Sequence, residues 1–290
     1  MESSDQTCPF DSGLVDPDGI VPHDASSNTL CDPPTGLGLE SGLEMGEWAS
    51  ARIAPDRYAV KFNFELDMQN NLIGVVRGTS GDVIGGNPSF VRLFGDEAGN
   101  TQYRAPRLAP SGLELYVRIE MLATGGTRIG RSVRTATTDL WTTPIPIAIN
   151  TVLSSGVLPS PPTTTTPRHM VIMNGVQTMI EIREASLGSW HVERTQAIAS
   201  FSTAMSETVA FLGEAHLTED GRRLVFRGQI TSQPVGAFYV ERASLDDAFT
   251  GSATRLPTMG SVSQPFFTSD CKYMLYTRES EGFVYRVVYQ

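Results

Sequence analysis

Ala105-Pro-Arg-Leu-Ala-Pro-Ser-Gly-Leu-Glu-Leu-Tyr-Val117 reads as a short strand, a Pro-Ser-Gly turn and a second, apolar strand. The shape recurs. Ser50-Ala-Arg-Ile-Ala-Pro-Asp56 precedes the apolar run Tyr58 to Phe64, and His169-Met-Val-Ile-Met-Asn-Gly175 precedes Met179-Ile-Glu-Ile. Ala215-His-Leu-Thr-Glu-Asp-Gly221 leads into Leu224-Val-Phe, and Pro265-Phe-Phe-Thr-Ser-Asp-Cys271 into Met274-Leu-Tyr. The turn positions Arg57, Gly112, Gly175, Gly221 and Cys271 fall 55, 63, 46 and 50 residues apart. Such a period leaves room for about four short strands per copy, the size of a propeller blade. One hairpin sheet cannot bury both faces alone. Sheets arranged radially pack on their neighbours and leave no long exposed edge. The expected fold is therefore all-β: a β-propeller of five blades with four antiparallel strands each, or six if the N-terminal arm supplies further strands. A segment near Trp48 to Ile53, or the arm before it, is expected to complete the last blade.

The rest of the chain agrees with that class. Its 290 residues are 40% apolar and 8% aromatic, in short β-branched or aromatic runs separated by Gly, Asn, Asp and Pro. No stretch carries a convincing helical period, save Leu245 to Phe249 as a single turn. Residues 1–47 stand apart in composition: ten acidic side chains, no lysine or arginine, and no visible period. They are expected to form an acidic arm or linker, with residues 48–290 as the propeller domain. The longest repeat interval holds Pro-Ser-Pro-Pro-Thr-Thr-Thr-Thr-Pro (159–167), read as an inserted polyproline-like loop. That loop and Arg77 to Pro88 are the expected places for a partner to touch the propeller.

Charge narrows the partners. The chain has 22 basic and 32 acidic residues, a net −10, and no basic block, so a phosphate backbone is a poor match and no nucleic acid is expected. No apolar run reaches the roughly 18–20 residues of a membrane-spanning helix. Cys8 and Cys31 flank a segment with little capacity to form a core, where a disulfide would tie down the arm; Cys271 is left over. The opening Met-Glu-Ser-Ser-Asp resembles an expression start placed on a mature exported protein.

The pieces at 105–117, 214–226 and 264–276 resemble the TolB-type, WD-like (PD40-like) bacterial propeller repeat, Pro-x-apolar-Ser-x-Asp-Gly followed by an apolar strand. Ile129 through Ile145 resembles the outer half of such a blade. The resemblance covers residues 48–290. Arg57 and Cys271 depart from it by replacing the turn glycine, and the third copy lacks the Asp. It implies export to a periplasm or cell surface and a non-catalytic binding or scaffolding role, with a protein or glycan of the cell envelope as partner. A lipid anchor at a native N-terminus is compatible with it. The family carries no fixed catalytic residues, and fold analogy does not name a ligand.

The residues offer few candidates of their own. His23, His169, His191 and His216 make no HExxH or closely spaced His/Cys set, so no metal site is expected. His169 and His216 fall at or next to the innermost-strand position of their repeats and are candidates to face a central channel. Arg52 and Arg107 share one place in the repeat; if it faces the channel, two guanidinium groups there would favour a carboxylate or phosphate. Asp16-Pro-Asp18-Gly19, with Asp11 and Asp24, is the one alternative to having no cofactor, namely calcium, but it lacks alternating ligands and a terminal bidentate Glu. Asp56 and Asp220 are expected to build turns with their own backbone. The enzymatic alternative to a binding protein is a propeller glycosidase using channel carboxylates.

Overall fold

In the computed structural model the described residues are most of 101–256, the segments 261–267, 273–278 and 283–288, and the backbone of 39–45, 47–49, 58–62 and 76–77. They hold strands and no helix. β1 (Leu39–Met45) is followed by a first sheet of β2 (Glu47–Ala49), β3 (Tyr58–Phe62) and β4 (Val76–Arg77). The second sheet runs β5 (Thr101–Leu108), β6 (Glu114–Met121), β7 (Gly126–Val133) and β8 (Ile145–Pro146). The third contains β9 (Ala148–Ile149), β10 (Leu158–Pro159), β11 (His169–Met173), β12 (Thr178–Ser186) and β13 (Ser189–Ala197), in the order β10-β11-β12-β13-β9. The fourth is built from β14 (Ser200–Ser202), β15 (Thr208–Phe211), β16 (His216–Leu217), β17 (Arg223–Ile230), β18 (Gly236–Glu241) and β19 (Thr254–Arg255). β20 (Val262–Phe267), β21 (Tyr273–Arg278) and β22 (Phe283–Val288) form the fifth, which β1 completes by pairing antiparallel with β22, from Leu39 opposite Val288 to Met45 opposite Phe283. A strand from residues 39–45, inside the segment read as an arm, thus joins the two ends of the chain.

The core lies between sheets rather than inside any one of them. In β11 all five residues, His-Met-Val-Ile-Met, are buried, because both faces of this strand are covered. Met170 and Ile172 pack with Tyr116, Ile129, Ile180, Ile182 and Trp190 against the second sheet. Val171 and Met173, on the opposite face, pack with Leu217, Leu224, Phe226 and Phe238 of the fourth. β17 divides in the same way: Leu224 and Phe226 face the third sheet, while Val225 joins Ala237, Tyr239, Val262 and Tyr276 toward the fifth. Phe201, Phe211 and Phe226 cluster edge-on or tilted, with ring centroids 5.0–6.0 Å apart. Gly228 is required there, since a Cβ would come within 2.9 Å of both Phe238 and Val209.

Two loop expectations change. The 159–167 segment is not a free insertion. Pro159 belongs to β10, opposite Ile172, and Ser160 and Thr163 are buried. Ser160 Oγ accepts the Val171 N–H at 3.0 Å and Thr163 Oγ1 accepts the His169 N–H at 2.9 Å. Hydroxyls thus accept the β11 N–H groups, while the Ser160 and Thr163 N–H groups donate to the Val171 and His169 carbonyls at 2.7 and 2.8 Å. Leu245 to Phe249 contains a hydrogen-bonded turn rather than a helical one, fastened by Asp247, whose carboxylate accepts from the Ser244 N–H and hydroxyl.

Candidate functional site

Three sheets break their register at one place. In β5, Ala105 and Pro106 lie opposite the single residue Val117, between the pairs Arg104↔Arg118 and Arg107↔Tyr116. In β20, Gln264 and Pro265 lie opposite Tyr276 in the same way. In the fourth sheet pairing stops at Phe211↔Gly228 and resumes at His216↔Val225, so Leu212 to Ala215 bulge away from β17. The prolines suit a bulge, because the ladder asks for no N–H there. The bulged backbone is left-handed at equivalent residues, two before the resumed pair: φ is +47° at Ala105 and +54° at Glu214, with Gly213 at +86°. A side chain in that region costs on the order of 1–2 kcal/mol. In the second sheet the position holds a buried alanine. In the fourth it holds Glu214, half-buried. Bulges and strained non-glycine residues of this kind gather at functional sites, where they re-aim a side chain.

A buried ion cluster joins the third and fourth sheets. Glu181 stands on the β12 face turned to the fourth sheet, opposite Val171 on one side and Arg194 on the other. It is fully buried, and so is Arg242, which follows β18. Arg242 Nη1 donates to Glu181 Oε2 at 2.9 Å and Nη2 lies 2.7 Å from Oε1. Arg194 Nη1 is 3.2 Å from Oε2, and His169 Nδ1 is 3.5 Å from Oε1. Burial alone would raise the Glu181 carboxyl; His169, Arg242 and Arg194 together hold it below its usual range.

A second cluster joins the second and third sheets. Arg168, just before β11, reaches Glu114 of β6 at 2.6 Å and grips Glu184 of β12 through Nε and Nη2 at 2.6 and 2.8 Å. Arg131 and the Tyr116 hydroxyl also donate to Glu114. Burial pushes Glu114 up, and the two arginines outweigh it, leaving the carboxyl below its usual value. Burial, with Glu114 alongside, pushes the Tyr116 phenol up. A carboxylate held ionised between guanidinium groups fastens sheets together and is poorly suited to donate a proton.

The residues singled out from sequence come from different sheets. Arg107, His169 and His216 belong to the second, third and fourth sheets, and each stands on the face turned to the next sheet. Arg107 lies opposite core residue Tyr116, His169 alternates with Val171, and His216 lies opposite Val225. His216 and Arg107 are equivalent, directly after their bulges, whereas His169 sits at the far end of its strand from the hairpin turn. Arg52, Cys8 and Cys31 lie outside the described residues, as do Asp16, Asp18 and residues 78–88. Asp220 does build its turn, accepting from the Arg222 N–H at 3.1 Å and the Thr218 hydroxyl at 2.7 Å. Glu214, Glu181 and Arg242 were not anticipated. The signal for the bulge is legible afterwards as Ala-Pro and Gln-Pro within strands; nothing local marks Glu181, whose partners lie 12 to 61 positions away.

No family model matches the chain, and no curated protein matches it in sequence. Its fold is nevertheless found among solved structures. The GH43_1 enzyme from Xanthomonas citri, solved with xylotriose, is similar at TM-score 0.54 and 13% identity, over 87% of this chain and 89% of that one. An α-L-arabinofuranosidase from Podospora anserina, in complex with cellotriose, is similar at 0.50 and 10%, over 89% and 96%. TolB from Acinetobacter baumannii is similar at 0.47 and 12%, over 84% of this chain; the chain spans 55% of TolB's length. At such identities the likeness establishes the fold alone. The chain is an all-β propeller. The expectation of a non-catalytic protein does not stand, because solved propellers of this shape include glycoside hydrolases. The repeat motif encodes turn chemistry and is silent about the side chains on loops and bulges that would decide function. Among the described residues no helix is long and apolar enough to cross a membrane.

Proposed function

We propose that this chain is a carbohydrate-cleaving propeller, a glycoside hydrolase in which Glu214 supplies one of the carboxylates. The observation that carries the reading is Glu214 itself: an acidic residue held left-handed on a strand bulge whose counterpart in the second sheet is alanine. Hydrolysis of a glycosidic bond takes two carboxyl groups flanking the scissile oxygen, one donating a proton and one acting as base or nucleophile. Glu114 and Glu181 are poor choices for the donor, since arginines hold both below the usual carboxylate range. The bulge is a place where the backbone itself re-aims a carboxylate out of the strand ladder. The arabinofuranosidase and xylotriose-bound propellers of similar shape favour pentose-containing glycans as the substrate class.

The test is to incubate the purified chain with arabinose-substituted xylan and an aryl α-L-arabinofuranoside and to follow released sugar by chromatography. The parent should release sugar, and Glu214→Gln should lower the rate by about 10²–10⁴-fold. Absence of release by the parent from either substrate, or full activity in Glu214→Gln, would overturn the proposal.

A further inference from the structure

The fourth-sheet bulge is anchored at both ends, and one anchor reaches into the neighbouring sheet. Toward β15, the Leu212 N–H donates to the Arg227 carbonyl at 2.9 Å and the Arg227 N–H to the Gly213 carbonyl at 3.1 Å. Toward β16, the strand runs into a turn in which the Thr218 N–H donates to the Arg223 carbonyl at 2.9 Å and the Gly221 N–H to the Thr218 carbonyl at 2.8 Å. Gly221 has φ +71°, and a Cβ there would meet Leu245 at 2.5 Å and Thr163 of the third sheet at 3.1 Å, so the turn is wedged between two segments. Its carbonyl accepts from Arg242 Nε at 2.8 Å. The same guanidinium binds Glu181 of β12 and the Asp247 carbonyl, and its carbon lies 4.5 Å over the Phe249 ring. Arg242 therefore links the turn after β16 to a carboxylate on another sheet. Arg194 touches that carboxylate and the Asp246 and Asp247 carbonyls, without a bond to Gly221.

We propose that Glu181 and Arg242 are positioning residues that fasten the β16–β17 turn to the third sheet and thereby set where Glu214 is held. The catalytic consequence rests on the hydrolase reading above; the mechanical one does not. A planar fork serves this purpose where an ammonium could not, because three acceptors on three segments must be met in one plane. Misplacing a reacting group by about 1 Å costs on the order of 100-fold in rate, so a loosened turn should depress turnover more than substrate binding.

Two readouts separate the layers of the proposal. Amide hydrogen exchange is compared in the parent, Glu181→Gln, Arg242→Lys and Arg194→Gln, with kcat and KM measured on the substrate that the parent cleaves. Glu181→Gln and Arg242→Lys should each speed exchange over Leu212–Thr218 by about 10-fold while β6 and β7 stay unchanged. Both should lower kcat by about 10-fold or more with KM nearly constant, and Arg194→Gln should do neither. If Glu181→Gln does not fold, Arg242→Lys, which keeps the charge and loses the fork, decides alone. Unchanged exchange at 212–218, a uniform rise across the chain, or an equal effect of Arg194→Gln would overturn the positioning role. A parent without hydrolytic activity would sink the hydrolase reading, and the exchange pattern would still decide the fastening.

Discussion

Glu214 keeps a backbone conformation that its side chain disfavours, and the bonds around it hold it there. Leu212, Gly213 and Arg227 lock one flank and Thr218 with Arg223 the other. The cost can be isolated by removing the carboxylate in two ways. Glu214→Gly and Glu214→Ala both abolish the acid, but only glycine accepts φ +54° without a Cβ clash. The glycine variant should therefore be more stable than the alanine variant by roughly 1 kcal/mol in urea denaturation. Equal stabilities would mean that the left-handed bulge is absent in solution. Glu181 poses the opposite case. Its charge is stabilised by the cations around it, and removing it leaves Arg242 buried without its carboxylate, at a cost of about 3–5 kcal/mol.

At the scale of elements, β11 shows how a propeller strand differs from an ordinary amphipathic one. All five of its side chains are buried, so its fit depends on neighbours on both sides. One edge is supplied by β12 and the other by a proline-rich segment whose hydroxyls accept the β11 N–H groups. Ser160→Ala and Thr163→Ala should each destabilise the chain by about 1–3 kcal/mol, since each leaves a buried N–H without its acceptor. Chemical denaturation of the two variants checks this; a loss below a few tenths would show that the segment does not cover the strand. Low complexity concealed this role. Threonine and serine repeats say nothing about which hydroxyl meets which amide, and the pairing partner lies across a turn.

For the whole molecule, stability rests on sheets fastened to one another by apolar layers and by the two carboxylate–arginine clusters. Glu114 and Glu181 both titrate below the ordinary carboxyl value of 4.5 when folded. A group depressed by folding contributes its full stabilisation above the unfolded value and loses it as pH falls through the folded one. Stability of the parent should therefore decline below about pH 4.5, and the gap between parent and Glu181→Gln should narrow over the same range. Urea midpoints measured from pH 7 downward test it; a constant gap would remove Glu181 from the acid transition. Chain closure is the second global feature. β1 covers the β22 edge, so deleting residues 1–46 exposes a strand edge of the fifth sheet. The truncated chain should melt at lower temperature and self-associate in light scattering, whereas unchanged behaviour would show that β1 is dispensable.

The class and the repeat are legible in the residues alone: turn residues at a recurring interval and apolar runs of strand length are local properties of each copy, as is the turn that Asp220 builds in its own. Tertiary structure decided what stands between the copies. His169, Glu181, Arg194 and Arg242 come from four strands or strand ends of two sheets, and only the packing of those sheets makes one buried cluster of them. The bulge at Glu214 is likewise a matter of register between β15, β16 and β17, which depends on pairing across the chain. Periodicity records which face of a strand is apolar. It does not record how far one strand has slipped against the next, and that slip is what re-aims an otherwise ordinary glutamate.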